Sequence, residues 1–552
     1  MRISLRICLI ASLCFAPAFL FGGDQKTIIL SGIPFPMPAI TLPIIPNHDE
    51  NILVHGAFAD GRTMNTNSIE SAITAAAKAG GGRVVVPAGT WLTGPVRLQS
   101  NINLHLEKGA VLLFSRKFED YPIVRREGSS RSYRCISPIS GSGLENIAIT
   151  GDGIIDGGGD AWRPVKKSKL TAGDWKRLVA SGGAVDGDIW WPSVAAMNGE
   201  NYIKELEKSK KNPLPEEYAV AREYLRPDLL LLVGCRTVLL DGPTFRNSPM
   251  FCVQPIQCSN MVVRNIFINN EWHAQNGDGL DIKSCYNVLV DNVTVNAGDD
   301  GICLKPGKME KGASRTASCE NIVIQNSAVY HGHGGFVIGS ETYGGARNIF
   351  VRNCVFSGTD VGLRFKSGRT RGGLIEKIYI ENVRMVNIVH EAILFDTYYG
   401  EDTEGKAQSD QRDVQPVNER TPRFRDFTLS NITCNGAARA MLINGLPEMP
   451  VEAISMKNVK ITAEKGMLCI DARDIVLTDA SLQTSNGPVF SLRHTHGMTL
   501  KRVDVLPADK PFLFIGDSEV AGIRLVETEL TRAAKGIELG AGALESAVIK
   551  PQ

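Results

Sequence analysis

The 12 cysteines form no CxxC pair, the charges show no surplus of either sign, aromatics are few, and no long apolar run follows the first residues. Each absence excludes something. Without paired ligand spacing there is no case for a zinc site, and no metal or other cofactor is expected. Lys+Arg is 60 and Asp+Glu is 59, for a formal charge of +1. That balance argues against a nucleic-acid partner or an anionic membrane surface. Aromatics at 7% beside 55 glycines favour many turns and short strands over long helices. Arg2 and Arg6 precede an apolar stretch over 7–21, and Gly22 and Gly23 follow. This reads as a signal peptide over 1–23, too short to span a bilayer comfortably. A lipoprotein acylated at Cys14 is the alternative, and bulky Leu13 counts against it. The mature chain is expected in the periplasm or outside the cell, with no membrane association. Export permits disulfides. No pairing is assigned, and Cys303, Cys354 and Cys434 read as small apolar filler in strands.

What the sequence does contain is a repeat. An apolar-alternating run, an asparagine and a second short run recur as "NMVVRNIFI", "NVLVDNVTV", "NIVIQNSAV", "NIFVRNCVF", "KIYIENVRM", "DFTLSNITC" and "AISMKNVKI". The central residues are Asn265, Asn292, Asn326, Asn353, Asn382, Asn431 and Asn458, spaced by 27, 34, 27, 29, 49 and 27 residues. Period-two alternation rich in Val and Ile selects strands over a helical solenoid. Asparagine tolerates the left-handed backbone that a sharp bend requires. The expected fold is all-β: a right-handed parallel β-helix whose stacked coils align these asparagines. "NTNSIESAITAAAKAGGG" predicts a capping helix with Asn67 or Thr66 as its N-cap and Ile69 and Ile73 on one face. Residues 24–49 are Pro-rich and expected along the outside. Residues 50–552 are read as one β-helix domain, with insertions at about 164–226 and 397–425. Such insertions are either groove walls or solvated loops.

Aligning coils by their apolar strands stacks "NGDGLDIKS", "AGDDGICLKPG", "HGHGGFVIGS" and "GTDVGLRFKSG". Leu280, Ile302, Phe336 and Leu363 share one inward column; Ile282, Leu304, Ile338 and Phe365 share another. Asp281, Lys283, Lys305, Arg364 and Lys366 then point outward. Before the strands, Asp278 falls beside Asp300, and Asp299 beside His333. Singly, an Asp before Gly is turn chemistry. Together, crowded carboxylates separate their proton affinities, so one can serve as acid and another as base. That equipment suits glycoside hydrolysis, and Arg364 and Lys366 at the edge suit an anionic sugar. Lys283 and Lys305 read as structural or peripheral. "GDGIIDGGGDAW" lacks the Lys-Ser/Thr of a phosphate loop and reads as tight turns.

Asn276-Gly277-Asp278, Gly298-Asp299-Asp300, Gly332-His333-Gly334 and Arg364-Phe365-Lys366 resemble, in order and spacing, the motifs of glycoside hydrolase family 28, the polygalacturonases. "GAFADGRTMNTNSIESAI" and the segment after it are similar to the family's first coils, so the likeness covers nearly everything beyond residue 50. The resemblance implies inverting hydrolysis of α-1,4-linked galacturonic acid in pectic polysaccharide. It implies Asp299 as general acid, Asp278 and Asp300 as activators of water, and His333 as a partner of Asp299. Arg364 and Lys366 would bind the galacturonate carboxylate, and Tyr398 or Tyr399 would line the site. Gly277 stands where Thr is commoner, and Gln254 where relatives often carry His, which bears on subsite chemistry. The first insertion resembles exo-acting bacterial relatives. A pectate lyase, a rhamnogalacturonan-active enzyme and a non-catalytic carbohydrate-binding β-helix are the alternatives.

Overall fold

The structure, a computed structural model, describes residues 27–549 apart from 126–132, 211, 308–316, 401–412, 505–509, 531–532 and 534. The expected signal peptide and the middle of the second insertion lie outside the described residues. From Asp49–Asn51 to Val548–Ile549, strands of successive coils pair in parallel in one 34-stranded arrangement, a right-handed parallel β-helix as expected. Each complete coil gives one strand to each of three sheets. Val253–Ile256, Leu280–Ile282, Asp300–Leu304, Gly334–Ile338, Leu363–Lys366 and Glu391–Asp396 follow one another in the first. The inward columns are those read from the alternation. Leu280 pairs with Ile302, Ile302 with Phe336, and Phe336 with Leu363, all buried. The ten described cysteines are free and buried, as apolar filler should be.

The seven repeat asparagines all adopt left-handed backbone, with φ between 52° and 56°. Their amides form the stack the repeat predicts: Asn292 donates to Asn265 at 2.8 Å, Asn382 to Asn353 at 3.1 Å and Asn458 to Asn431 at 2.7 Å. One rung differs. Asn326 donates to Asp291 rather than to Asn292. Asn353→Ala is expected to cost about 2–5 kcal/mol. Alanine is penalised in the left-handed region by ~1–2 kcal/mol, and two exposed hydrogen bonds, each worth about 0.5–1.5 kcal/mol at most, are lost. Asn353→Gly should recover only the backbone share. Urea titration of the two variants separates the contributions.

The helix Thr66–Lys78 buries Ile69, Ala72, Ile73 and Ala76 against the first coils. Its N-cap is Asn65, one residue before Thr66 and two before Asn67, the caps expected from the sequence. The Asn65 amide makes no capping bond because it is committed to Phe58 and to the carbonyls of Thr63 and Leu92. Ile28, Phe35, Ile40 and Leu42 of the Pro-rich segment cover Val262, Leu289, Val323 and Phe350 on the outer face of the second sheet. The first insertion leaves the coils after Asp156 and rejoins them at Leu230. It holds helices Ala172–Ala180 and Val194–Ser209, capped by Thr171 and Ser193, and a small antiparallel sheet carrying Trp190 and Trp191. The strand Arg423–Asn435 begins inside the span expected for the second insertion, because Arg423 already pairs with Leu374. No described helix is long and apolar enough to cross a membrane.

Candidate active site

Two turns on adjacent coils build the centre of the site, and glycines let them pass close together. A Cβ on Gly298 would lie 2.3 Å from the Ala274 carbonyl oxygen, and one on Gly277 would lie 2.7 Å from the Ala274 Cβ. The backbone around 271–277 therefore leaves no room for a threonine at position 277. Asn276 has φ 55°. Its side-chain oxygen accepts a hydrogen bond at 2.9 Å from Arg226, the buried residue at the end of the first insertion. Arg226 also donates to the Gln275 carbonyl at 2.8 Å, so the insertion fixes the turn that presents Asp278.

Strand register does the rest. Asp300 pairs with Gly334, which sets Asp299 beside His333; Leu280 pairs with Ile302, which sets Asp278 beside Asp300. One oxygen from each of Asp278, Asp299 and Asp300 lies within 4.8 Å of the others. His333 Nδ1 is 3.0 Å from Asp299 Oδ1. Lys366 Nζ donates to Asp300 Oδ2 at 2.7 Å, and Arg364 Nη1 to Asp300 Oδ1 at 3.3 Å. Arg364 Nε is buried with no hydrogen-bond partner among the described residues. Tyr399 carries three cations over its ring: Lys366 at 5.1 Å, Arg371 at 5.6 Å and Arg364 at 5.9 Å. Tyr398 instead lies under Arg369, which is tied to Glu448. Of the two tyrosines, Tyr399 faces the charged cluster. Gln254 is buried one coil below Asp281, on the flank away from His333.

Sequence reasoning missed a second layer. Lys305 is buried, not peripheral: its Nζ is 2.8 Å from Asp278 Oδ2 and 3.1 Å from Asp281 Oδ2. Asp281 does point away from the coil interior, yet it is fully buried. Three lysines at equivalent strand ends (Lys283, Lys305, Lys366) signalled a shared position, though not its burial, since Lys283 in the same column is only half-buried. Nor could the chain alone indicate that Lys169 reaches in from the first insertion. Its Nζ stands 3.5 Å from His333 Nε2.

These contacts distribute the protons. Burial, aided by the Asp281 charge, pushes the Asp278 carboxyl well above the usual range, and Lys305 only partly offsets it. Burial raises Asp281 too. Asp299 and Asp300 are also buried, but their partners prevail. The His333 hydrogen bond and charge hold Asp299 low, and Lys366 and Arg364 hold Asp300 low. Without substrate, therefore, the proton rests on the Asp278–Asp281 side.

The chain matches the model of glycosyl hydrolases family 28 over residues 219–481. An exo-poly-alpha-D-galacturonosidase of Dickeya chrysanthemi is 31% identical over 402 residues, 69% of this chain and 61% of that protein. An endo-polygalacturonase of Pectobacterium carotovorum subsp. carotovorum is 27% identical over 413 residues, 74% of this chain and 86% of its own. Among solved structures, a hyperthermoactive exopolygalacturonase from Thermotoga maritima superposes with a TM-score of 0.63 at 29% identity, covering 79% of this chain and 93% of that one. The match spans about three fifths of the Dickeya protein's length. With the four motifs gathered on adjacent coils and these relatives beside them, the chain belongs to glycoside hydrolase family 28.

Proposed function

We propose that this protein is an exported pectin-degrading enzyme that hydrolyses α-1,4-linked galacturonic acid from chain ends, with inversion. The observation that carries the reading is the pair of columns, Asp278 with Asp300 and Asp299 with His333, joined by two cations on Asp300. Asp299 protonates the leaving glycosidic oxygen. Asp278, whose Oδ1 has no hydrogen-bond partner among the described residues, and Asp300 orient and deprotonate water. His333 orients Asp299. Arg364 and Lys366 take the substrate carboxylate, Arg364 through its unpartnered Nε, and Tyr399 floors the same subsite. Tyr398 and Gln254 act as wall residues. The basic N-terminal run and apolar stretch supply the export signal.

Asp299 begins ionised, so it must gain a proton before it can give one. An anionic substrate supplies the means. His333 holds Asp299 low, with smaller help from Lys305 and Lys366; a galacturonate carboxylate on Lys366 and Arg364 offsets the Lys366 share and excludes water from the acid. The proton then redistributes from the Asp278 side toward Asp299 within the coupled set. Binding thus prepares the acid and frees the base in one step.

One observation favours a second reading. The nearest carboxylate oxygens lie within 4.8 Å, whereas inverting pairs commonly stand roughly 6.5–9.5 Å apart. Proton NMR of the first product decides: the β-anomer is expected, and an initial α-anomer would establish retention. Product size tests the end preference. Monomer from the first minutes is expected on polygalacturonate, and an early ladder of oligomers would refute exo action. An ultraviolet-absorbing unsaturated product abolished by chelator would mean elimination.

A further inference from the structure

Beside the carboxylate cluster lies a cavity of about 510 Å³, bounded by Lys169, Trp272, Gly298, Gly332, His333 and Asp360. Its floor is the turns that precede the first-sheet strands. The first insertion contributes Lys169 to its lining. Lys169 Nζ sits 4.7 Å above the Trp272 ring, whose side chain is 50% exposed. Among the described residues Lys169 pairs with no carboxylate; its polar neighbour is His333 Nε2. The same Nε2 lies 3.7 Å from Asp360 Oδ2, while Nδ1 faces Asp299. An ammonium in ion-pair contact with no carboxylate, a half-exposed indole and the Asp360 carboxylate, which faces His333, therefore line one space next to the reacting acids. The size falls within the roughly 300–1,000 Å³ of small-ligand sites.

We propose that this cavity is a subsite for a uronic acid unit, separate from the one at Arg364 and Lys366. Lys169 receives the sugar carboxylate, the Trp272 face takes the ring, and Asp360 accepts sugar hydroxyls. The substrate class rests on the hydrolase reading above, but binding can be measured without turnover. Calorimetry with trigalacturonate on Asp299→Asn protein gives the reference affinity. Adding Lys169→Met is expected to weaken binding at least about tenfold, the scale of one charge-assisted hydrogen bond. Lys169→Arg should keep most of the affinity, and fully methyl-esterified trigalacturonate should bind the lysine and methionine proteins alike. On the otherwise unaltered enzyme, Lys169→Met should raise KM by a similar factor and change kcat little. A merely structural prop for His333 would move kcat instead. Equal trigalacturonate affinity with lysine or methionine at 169 overturns the proposal. So does no affinity for the acid form at all. Failure of the unaltered protein to hydrolyse galacturonan would strike the functional reading alone, because the calorimetry still reports on the cavity.

Discussion

Asp299→Asn should lower kcat on polygalacturonate by about 10²–10⁴-fold, the range associated with loss of a general acid, while the protein stays folded. The amide oxygen can still accept from the Asp300 backbone N–H, now 3.0 Å from Asp299 Oδ1, and from His333 Nδ1. What it cannot do is deliver a proton. Substrates with a good leaving group need less protonation, so an activated aryl galacturonide should lose much less rate than the polymer. If both substrates fall equally, Asp299 is not the acid. The stability change has a sign. Asp299 is held below its ordinary value, so its contribution is present above the unfolded pKa of about 3.9 and fades as the pH falls through its folded value. The variant should be slightly less stable than the parent at neutral pH and converge with it in acid.

Lys305→Met should destabilise the protein by about 3–5 kcal/mol near neutral pH, the cost of stripping the counter-charge from a buried ionic group. Lys305 stands between Asp278 and Asp281 and packs on the Phe251 ring 4.5 Å away, so no exposed residue can move in to replace it. The two carboxyls, already raised, would rise further without it. A carboxyl whose folded value is raised contributes stability when protonated and loses it as pH climbs from the unfolded value through the folded one. The deficit of the variant should therefore be small near pH 5 and large near pH 8. Urea denaturation at both values checks this, and an equal deficit at each would sink the explanation. Adding Asp281→Asn should restore part of the loss, because it removes one of the stranded charges.

The contrast between these two residues shows what could be read from the chain. Asp299 was legible because the alternation of Ile302 and Leu304 fixes the strand register, and the register fixes which turn residues become neighbours. Asp278 beside Asp300, and Asp299 beside His333, follow from that geometry alone. Lys305 was not legible in the same way. Its outward direction follows from period two, but its burial depends on what covers the sheet, and the covering residues come from distant segments. Lys169 is the extreme case: it stands 164 positions before His333 in the chain. No periodicity governs where an insertion folds back. The helix cap expected at Thr66 or Asn67 fell late, because the helix already begins at Thr66; Asn65, at the cap position, serves the loop at Phe58 and gives no capping bond.

The asparagine stack has a consequence for how such a site can change. Consecutive rungs bond across 27 residues between Asn265 and Asn292 and across 49 between Asn382 and Asn431, with no loss of step. Position along the axis is counted in coils, not in residues. Lengthening a turn by 20 residues therefore remodels a wall and leaves the acids where they are. On the proposed function, where a polymer chain is gripped and how its bond is broken are then written in separable parts of the sequence. The first can drift, lengthen or be exchanged between relatives while the second is held by the ladder.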